Sequence, residues 1–184
     1  MNSWWYAWDE EIPKDDCLKI KSFFEAEAKQ VAKIGDDNID GKIRTSTVVG
    51  FPYGTEANKK INDIVEPYII MANSESFGFD LNGLKEFQIA EYSEGGHYDN
   101  HFDMRLDNRA STRKLGITVQ LSEPTDYDGG DFMFSDDLIT PDQDIIKKIG
   151  TVIVFPSFIY HRVMPVSRGK RFSLVGWYEG NNWR

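Results

Sequence analysis

A single cysteine, Cys17, rules out an intramolecular disulfide framework and any zinc site built from cysteines. Long apolar runs are missing too. The longest, residues 68–72, falls far short of the ~20 residues that a bilayer-spanning helix needs. Residues 1–11 have aromatics but neither a basic start nor a continuous apolar segment, so they do not read as a secretory signal. A cytoplasmic location without membrane contact is expected. Positive charge is also short: 21 Lys and Arg against 30 Asp and Glu leave a net charge of -9. Such a chain lacks the cationic excess that neutralises phosphates, so nucleic-acid partners are not expected. No Pro-, Gly- or Ser-rich linker, repeat or low-complexity tract divides it, and residues 1–184 read as one domain. Oligomeric state is not legible.

What is present suits a packed core, with 40% hydrophobic and 14% aromatic residues. Residues 13–34 read as a helix: Pro13 fits the first turn, Asp15 and Asp16 its positive end, and Gly35 a stop. Leu18, Phe24, Ala28 and Val31 fall near one face of it. A second helix is expected over residues 57–72, with Ile61, Ile64, Val65 and Tyr68 as its stripe and Pro67 as a kink or break. From residue 84 the pattern changes to short strands between Gly, Pro, Asn and Asp clusters, expected at 85–92, 98–103, 114–122, 131–134, 151–155, 161–166 and 171–178. The fold expected is mainly β with supporting α: a jelly roll, or double-stranded β-helix, at about 84–180, flanked by N-terminal helices within about 1–83.

Alternation inside one strand carries chemistry. Ile117, Val119 and Leu121 share one face, and Thr118, Gln120 and Ser122 share the other. If the polar face points inward, Thr118 and Gln120 become ligand contacts; otherwise it is a wet outer face.

The three histidines are His97, His101 and His161, and two of them stand in tandem His-x-Asp pairs, with Asp99 and Asp103. Residues two apart on a strand point the same way, so such a pair can offer an imidazole and a carboxylate to one ion, and a distant histidine completes a three-ligand face. Two histidines and one carboxylate with open positions suit a non-haem Fe(II) oxygenase, in which O2 and a co-substrate both reach the metal. Zinc accepts the same ligands, so a zinc hydrolase is an alternative. Residues 97, 99, 101 and 103 have one parity, so alternation does not choose between the pairs.

Tyr92, Gly95, Gly96, Tyr98, His101 and Asp103, followed by Gly129-Gly130 and by the block from Phe155 through His161 and Arg171 to Ser173, resemble the signature of prolyl 4-hydroxylase-like 2-oxoglutarate oxygenases, especially small bacterial and viral members. The resemblance covers residues 92–178. It implies His101, Asp103 and His161 as iron ligands and Arg171 as the anchor for the remote carboxylate of 2-oxoglutarate, a task suited to its planar fork. It also implies 2-oxoglutarate and O2 as co-substrates, ascorbate as an optional reductant, and hydroxylation of an unactivated C–H bond with succinate and CO2 as co-products. Tyr92 matches a position beside the co-substrate, and Thr118 and Ser173 are expected nearby. Gln120 departs from relatives that place a tyrosine hydroxyl there.

For the substrate, Tyr98, Trp177 and the basic stretch after Asp103, with Arg105, Arg109 and Arg113, are the candidates. A peptidyl proline, another peptide or protein, or a small molecule is expected. Demethylation of alkylated nucleobases is a further alternative, which the acidic balance disfavours.

Overall fold

The computed structural model describes residues 4–32, 41–104, 112–135, 139 and 141–183. The N-terminal part holds β1 (Tyr6–Trp8), α1 (Lys14–Ala26), β2 (Gln30–Val31), β3 (Arg44–Thr45), β4 (Thr47–Phe51) and α2 (Glu56–Ala72). A single π-turn, Asn73–Phe77, leads into β5 (Leu81–Tyr92) and β6 (His97–His101). There follow β7 (Arg113–Gln120), β8 (Tyr127–Gly129), β9 (Phe132–Phe134), α3 (Gln143–Ile146), β10 (Val152–Pro156), β11 (His161–Val163), β12 (Val166–Gly169) and β13 (Arg171–Gly180).

A seven-stranded sheet in the order β1-β10-β7-β13-β5-β4-β2 faces a four-stranded sheet in the order β3-β6-β11-β9, and β12 pairs with β8 separately. The period-two side-chain pattern sorts two cores onto the faces of the large sheet. Ile117, Val119, Leu121, Val152, Val154, Phe172 and Leu174 pack on the helices through Cys17, Ile20, Phe24, Ile61, Val65 and Ile69. Ile153, Phe155, Ala90 and Tyr92 point the other way and meet Phe132, Phe134 and Val163 of the small sheet. The space between the sheets that these residues leave open is the functional cavity.

Four expectations differ from the structure. Helix α1 ends at Ala26, not 34, and Gln30–Val31 becomes an edge strand on Thr47 and Val48. Its buried face is Cys17, Ile20 and Phe24, while Leu18 is 47% and Val31 59% exposed, because the sheet covers a different stripe. Four strands occupy the region expected to be helical, since β1 to β4 extend the two sheets outward. Pro67 does not interrupt α2: it is exposed, and the helix runs on to Ala72. Finally, the strand expected over 161–166 ends at Val163, and Val166–Gly169 forms β12 in a separate sheet, so β11 and β13 do not pair and lie in different sheets. Among the described residues no helix is long and apolar enough to cross a membrane.

Candidate active site

His101 closes β6 and His161 opens β11, and the two pair across the small sheet. The register shifts between His101 and Tyr98, so β6 carries a bulge. That extra residue breaks the common parity of 97, 99 and 101. Tyr98 and His101 consequently share a face, with rings stacked at 3.4 Å, while His97 turns away to the carbonyls of Gly95 (3.1 Å) and Lys42 (3.2 Å). The choice between the tandem pairs is thus made by backbone geometry.

Asp103 lies beyond the end of β6, so strand alternation is not what aligns it with His101. Its amide and that of Met104 both donate to Ser157 O, at 2.9 and 3.0 Å, which ties the segment to the end of β10. The carboxylate then meets both imidazoles, with His101 Nε2 3.8 Å from Oδ1 and His161 Nε2 3.7 Å from Oδ2. Gly116 makes room for it, since a Cβ there would lie 3.2 Å from Asp103 Oδ2 and 3.1 Å from the Phe155 ring.

The tautomers are fixed by backbone acceptors. His101 Nδ1 contacts Asp99 O at 2.8 Å and His161 Nδ1 contacts Ile159 O at 2.9 Å. A carbonyl only accepts, so Nδ1 carries the proton and each Nε2 presents its lone pair to the carboxylate. Burial, then the neighbouring His161, pushes the His101 pKa down to about 3. It is neutral and ready to ligate. Burial would raise the Asp103 carboxyl, but His161 and His101 hold it below its ordinary value. Asp103 Oδ2 is buried and accepts no hydrogen bond from the described residues. Two bare imidazole nitrogens and an unsatisfied carboxylate oxygen, all ligand atoms within 4.8 Å of one another, fit a divalent metal ion.

On β13, Arg171, Ser173, Val175 and Trp177 all line the same cavity, of ≈ 860 Å³, together with Tyr92, Tyr98, Thr118 and Arg113. Arg171 is 4% exposed and donates from Nη1 to Ser173 Oγ at 3.3 Å, with the Tyr92 ring 5.7 Å away. Gln120 is not on the cavity wall; it sits behind it and donates from Nε2 to the Tyr127 hydroxyl at 2.9 Å. Arg113 packs 3.9 Å over the Trp177 ring. Arg105 and Arg109 lie outside the described residues.

Four contributors escaped the sequence reading. Arg44, on the two-residue β3, covers the outer face of Tyr98 at 4.4 Å and spends donors on Ser46 Oγ and Gln88 Oε1. A strand that short has no readable periodicity. Phe155 and Phe132 wall the His161 ring at 4.8 and 5.6 Å. Tyr127 had a faint signal, as an aromatic just before the paired Gly129-Gly130.

Facing β-sheets with a His-x-Asp and a distant histidine on the inner wall define a jelly-roll protein with a three-ligand candidate site for one divalent metal. The family model described as the 2OG-Fe(II) oxygenase superfamily matches residues 87–179, and the chain belongs to that superfamily. It is 32% identical over 128 residues to a PKHD-type hydroxylase of Synechococcus sp. (strain CC9311), covering 69% of this chain and 56% of that protein. The chain spans about half the length of the curated relatives it matches. In fold it is similar to a Pseudomonas putida prolyl-4-hydroxylase, with TM-score 0.74, 21% identity, and coverage of 97% of this chain and 94% of that one. A Trichoplax adhaerens prolyl hydroxylase in complex with a hypoxia inducible factor peptide fragment gives TM-score 0.75 at 14% identity, covering 96% and 84%. At these identities the likeness speaks for the fold.

Proposed function

We propose that this chain is an Fe(II)- and 2-oxoglutarate-dependent hydroxylase of an unactivated C–H bond, with His101, Asp103 and His161 as iron ligands. The observation that carries the reading is the opening of two lone-pair imidazoles, an unsatisfied carboxylate and a buried guanidinium into one cavity. The bound iron supplies the O2 chemistry, with oxidative decarboxylation of 2-oxoglutarate to succinate and CO2.

The protein's work is placement. Arg171 has no carboxylate partner among the described residues, so a distal carboxylate of the co-substrate would complete it. Tyr98 backs the His101 imidazole and fixes its plane, and burial lifts its hydroxyl pKa to about 12, so it stays protonated. Phe132 and Phe155 keep water from the inner side of His161. No side-chain acid or base is needed for hydrogen abstraction from carbon.

For the substrate we infer a prolyl-hydroxylase-like choice, with a peptide ahead of a small molecule. The exposed Phe102 and Tyr160 rings, 5.5 Å apart and tilted by 42°, offer an apolar surface next to His101 and His161 in the chain, and Arg44, Gln88 and Arg113 offer polar contacts to a backbone. Ascorbate dependence belongs to the same proposal. A zinc hydrolase would leave Arg171 without a task, and the net charge of -9 weighs against a nucleobase demethylase.

Aerobic incubation with Fe(II), ascorbate, 2-oxoglutarate and a proline-rich peptide panel is expected to release succinate and add one oxygen to the substrate. Free proline and methylated oligonucleotide serve as comparison substrates. Turnover with Zn(II) in the absence of O2 would overturn the oxygenase reading.

A further inference from the structure

The arginines and carboxylates that line the cavity are Arg44, Glu86, Asp103, Arg113, Arg171 and Glu179, and all but one have a task. Asp103 serves the metal site and Arg171 the co-substrate, Arg113 Nη2 pairs with Glu86 Oε2 at 3.6 Å, and Glu179 accepts from the Thr112 hydroxyl at 2.7 Å. Arg44 is the exception. It is 8% exposed, donates from Nε to Ser46 Oγ at 2.9 Å and from Nη2 to Gln88 Oε1 at 3.2 Å, and has no carboxylate partner among the described residues. A buried cation held only by neutral acceptors is costly until an anion reaches it.

The hydrogen bonds already made show what remains. A guanidinium only donates, so Gln88 gives its oxygen to Arg44, and its Nε2 is left as a donor with no acceptor among the described residues. Arg44 keeps Nη1 in the same state. Two spare donors on neighbouring side chains of one cavity wall match a carboxylate, which only accepts. Room is present too: Gly50 stands opposite Gln88 on β4, lines the same cavity, and an added Cβ there would meet nothing within 4 Å. Distance from the metal site is set by stacking, with Arg44 Cζ 4.4 Å over the Tyr98 ring and that ring 3.4 Å from His101. An anion on Arg44 therefore lies about one or two residues of extended chain from a carbon presented to the metal.

We propose that Arg44, assisted by Gln88, anchors a carboxylate carried by the substrate itself, and so selects an acidic substrate over a neutral one of the same shape. This rests on the hydroxylase reading above and deepens it, narrowing the contact that Arg44 offers from a peptide carbonyl to an anion. The carboxylate is either the α-carboxylate of the reacting residue or the side chain of an acidic residue beside it.

The test is a titration of protein saturated with Mn(II) and 2-oxoglutarate, so that Arg171 is already filled, with three pairs of peptides that differ only in one charge. The pairs are acetyl-Glu-Pro-amide with acetyl-Gln-Pro-amide, acetyl-Pro-Glu-amide with acetyl-Pro-Gln-amide, and acetyl-Ala-Pro with its C-terminal amide. In at least one pair the wild type is expected to bind the acid about tenfold more tightly, the effect of a hydrogen bond between charged groups. Arg44→Gln should abolish that preference. Gln88→Glu should abolish it as well, because the new carboxylate occupies Arg44 from within the chain, and for the same reason it should raise the Tm of the ligand-free protein at neutral pH. A wild type with no preference in any pair, a preference that survives in Gln88→Glu, or a Tm that Gln88→Glu leaves unchanged or lowers overturns the proposal. Should Arg44→Gln fail to fold, Gln88→Glu decides. Protein that binds Mn(II) but not 2-oxoglutarate overturns the co-substrate reading instead, and the Tm comparison still tests Arg44.

Discussion

At the scale of single residues, the candidate site depends on which hydrogen bonds are spent and which are left open. Gly116 shows how little space is spare, because an added methyl would crowd both the Asp103 carboxylate and Phe155. Gly116→Ala is expected to keep the fold while weakening Mn(II) binding by at least about tenfold, as disturbing groups around a metal ligand does. Full wild-type affinity would show that Asp103 has slack. Cys17 marks the opposite case, a group sealed away from chemistry. It is fully buried, and burial, with Asp16 next, pushes its thiol pKa up to about 12. The reactive thiolate forms only as pH rises through that value, so at pH 8 it is roughly one part in ten thousand. Native protein should leave a thiol reagent unconsumed, and denatured protein should consume one equivalent.

At the scale of elements, the bulge in β6 is the decisive irregularity. It turns His101 toward the cavity and His97 toward two carbonyls, which a neutral imidazole satisfies one at a time because only one of its nitrogens carries a proton. His97→Ala is expected to bind metal within a few-fold of wild type, whereas His101→Ala loses more than about a hundredfold. Equal losses in a metal titration would put both histidines on the ion. Helix α2 offers a separate test. Pro67 has no N–H to close a helical bond, yet it sits exposed inside the helix. Pro67→Ala should stabilise the chain by about 1–3 kcal/mol in urea unfolding, the helix gain being partly offset by the freer unfolded chain.

At the scale of the whole molecule, the cavity exists because two sheets and a third small ribbon bring distant segments together. Binding therefore couples to global stability. At a concentration about a hundred times Kd, a ligand that binds only the folded chain adds roughly 2.7 kcal/mol, or about 5–10 °C in Tm for a chain of this length. Mn(II) should raise Tm by that order, and 2-oxoglutarate should raise it further in wild type but not in Arg171→Ala. A second increment that survives in Arg171→Ala would place the diacid elsewhere.

Much of this was legible in sequence wherever the information was local. The ligand types, the inward parity of Arg171, Ser173 and Trp177, and the opposite faces of Thr118 and Val119 follow from donor chemistry and the two-residue period of a strand. Those properties travel with a few neighbouring residues. Tertiary structure alone decided the rest: the β6 bulge that separates His97 from His101, the early end of α1 beside an edge strand, and the arrival of Arg44 and Tyr127 from short, distant strands. Each of these depends on register against a partner far away in the chain, and no local pattern encodes which residue will stand opposite.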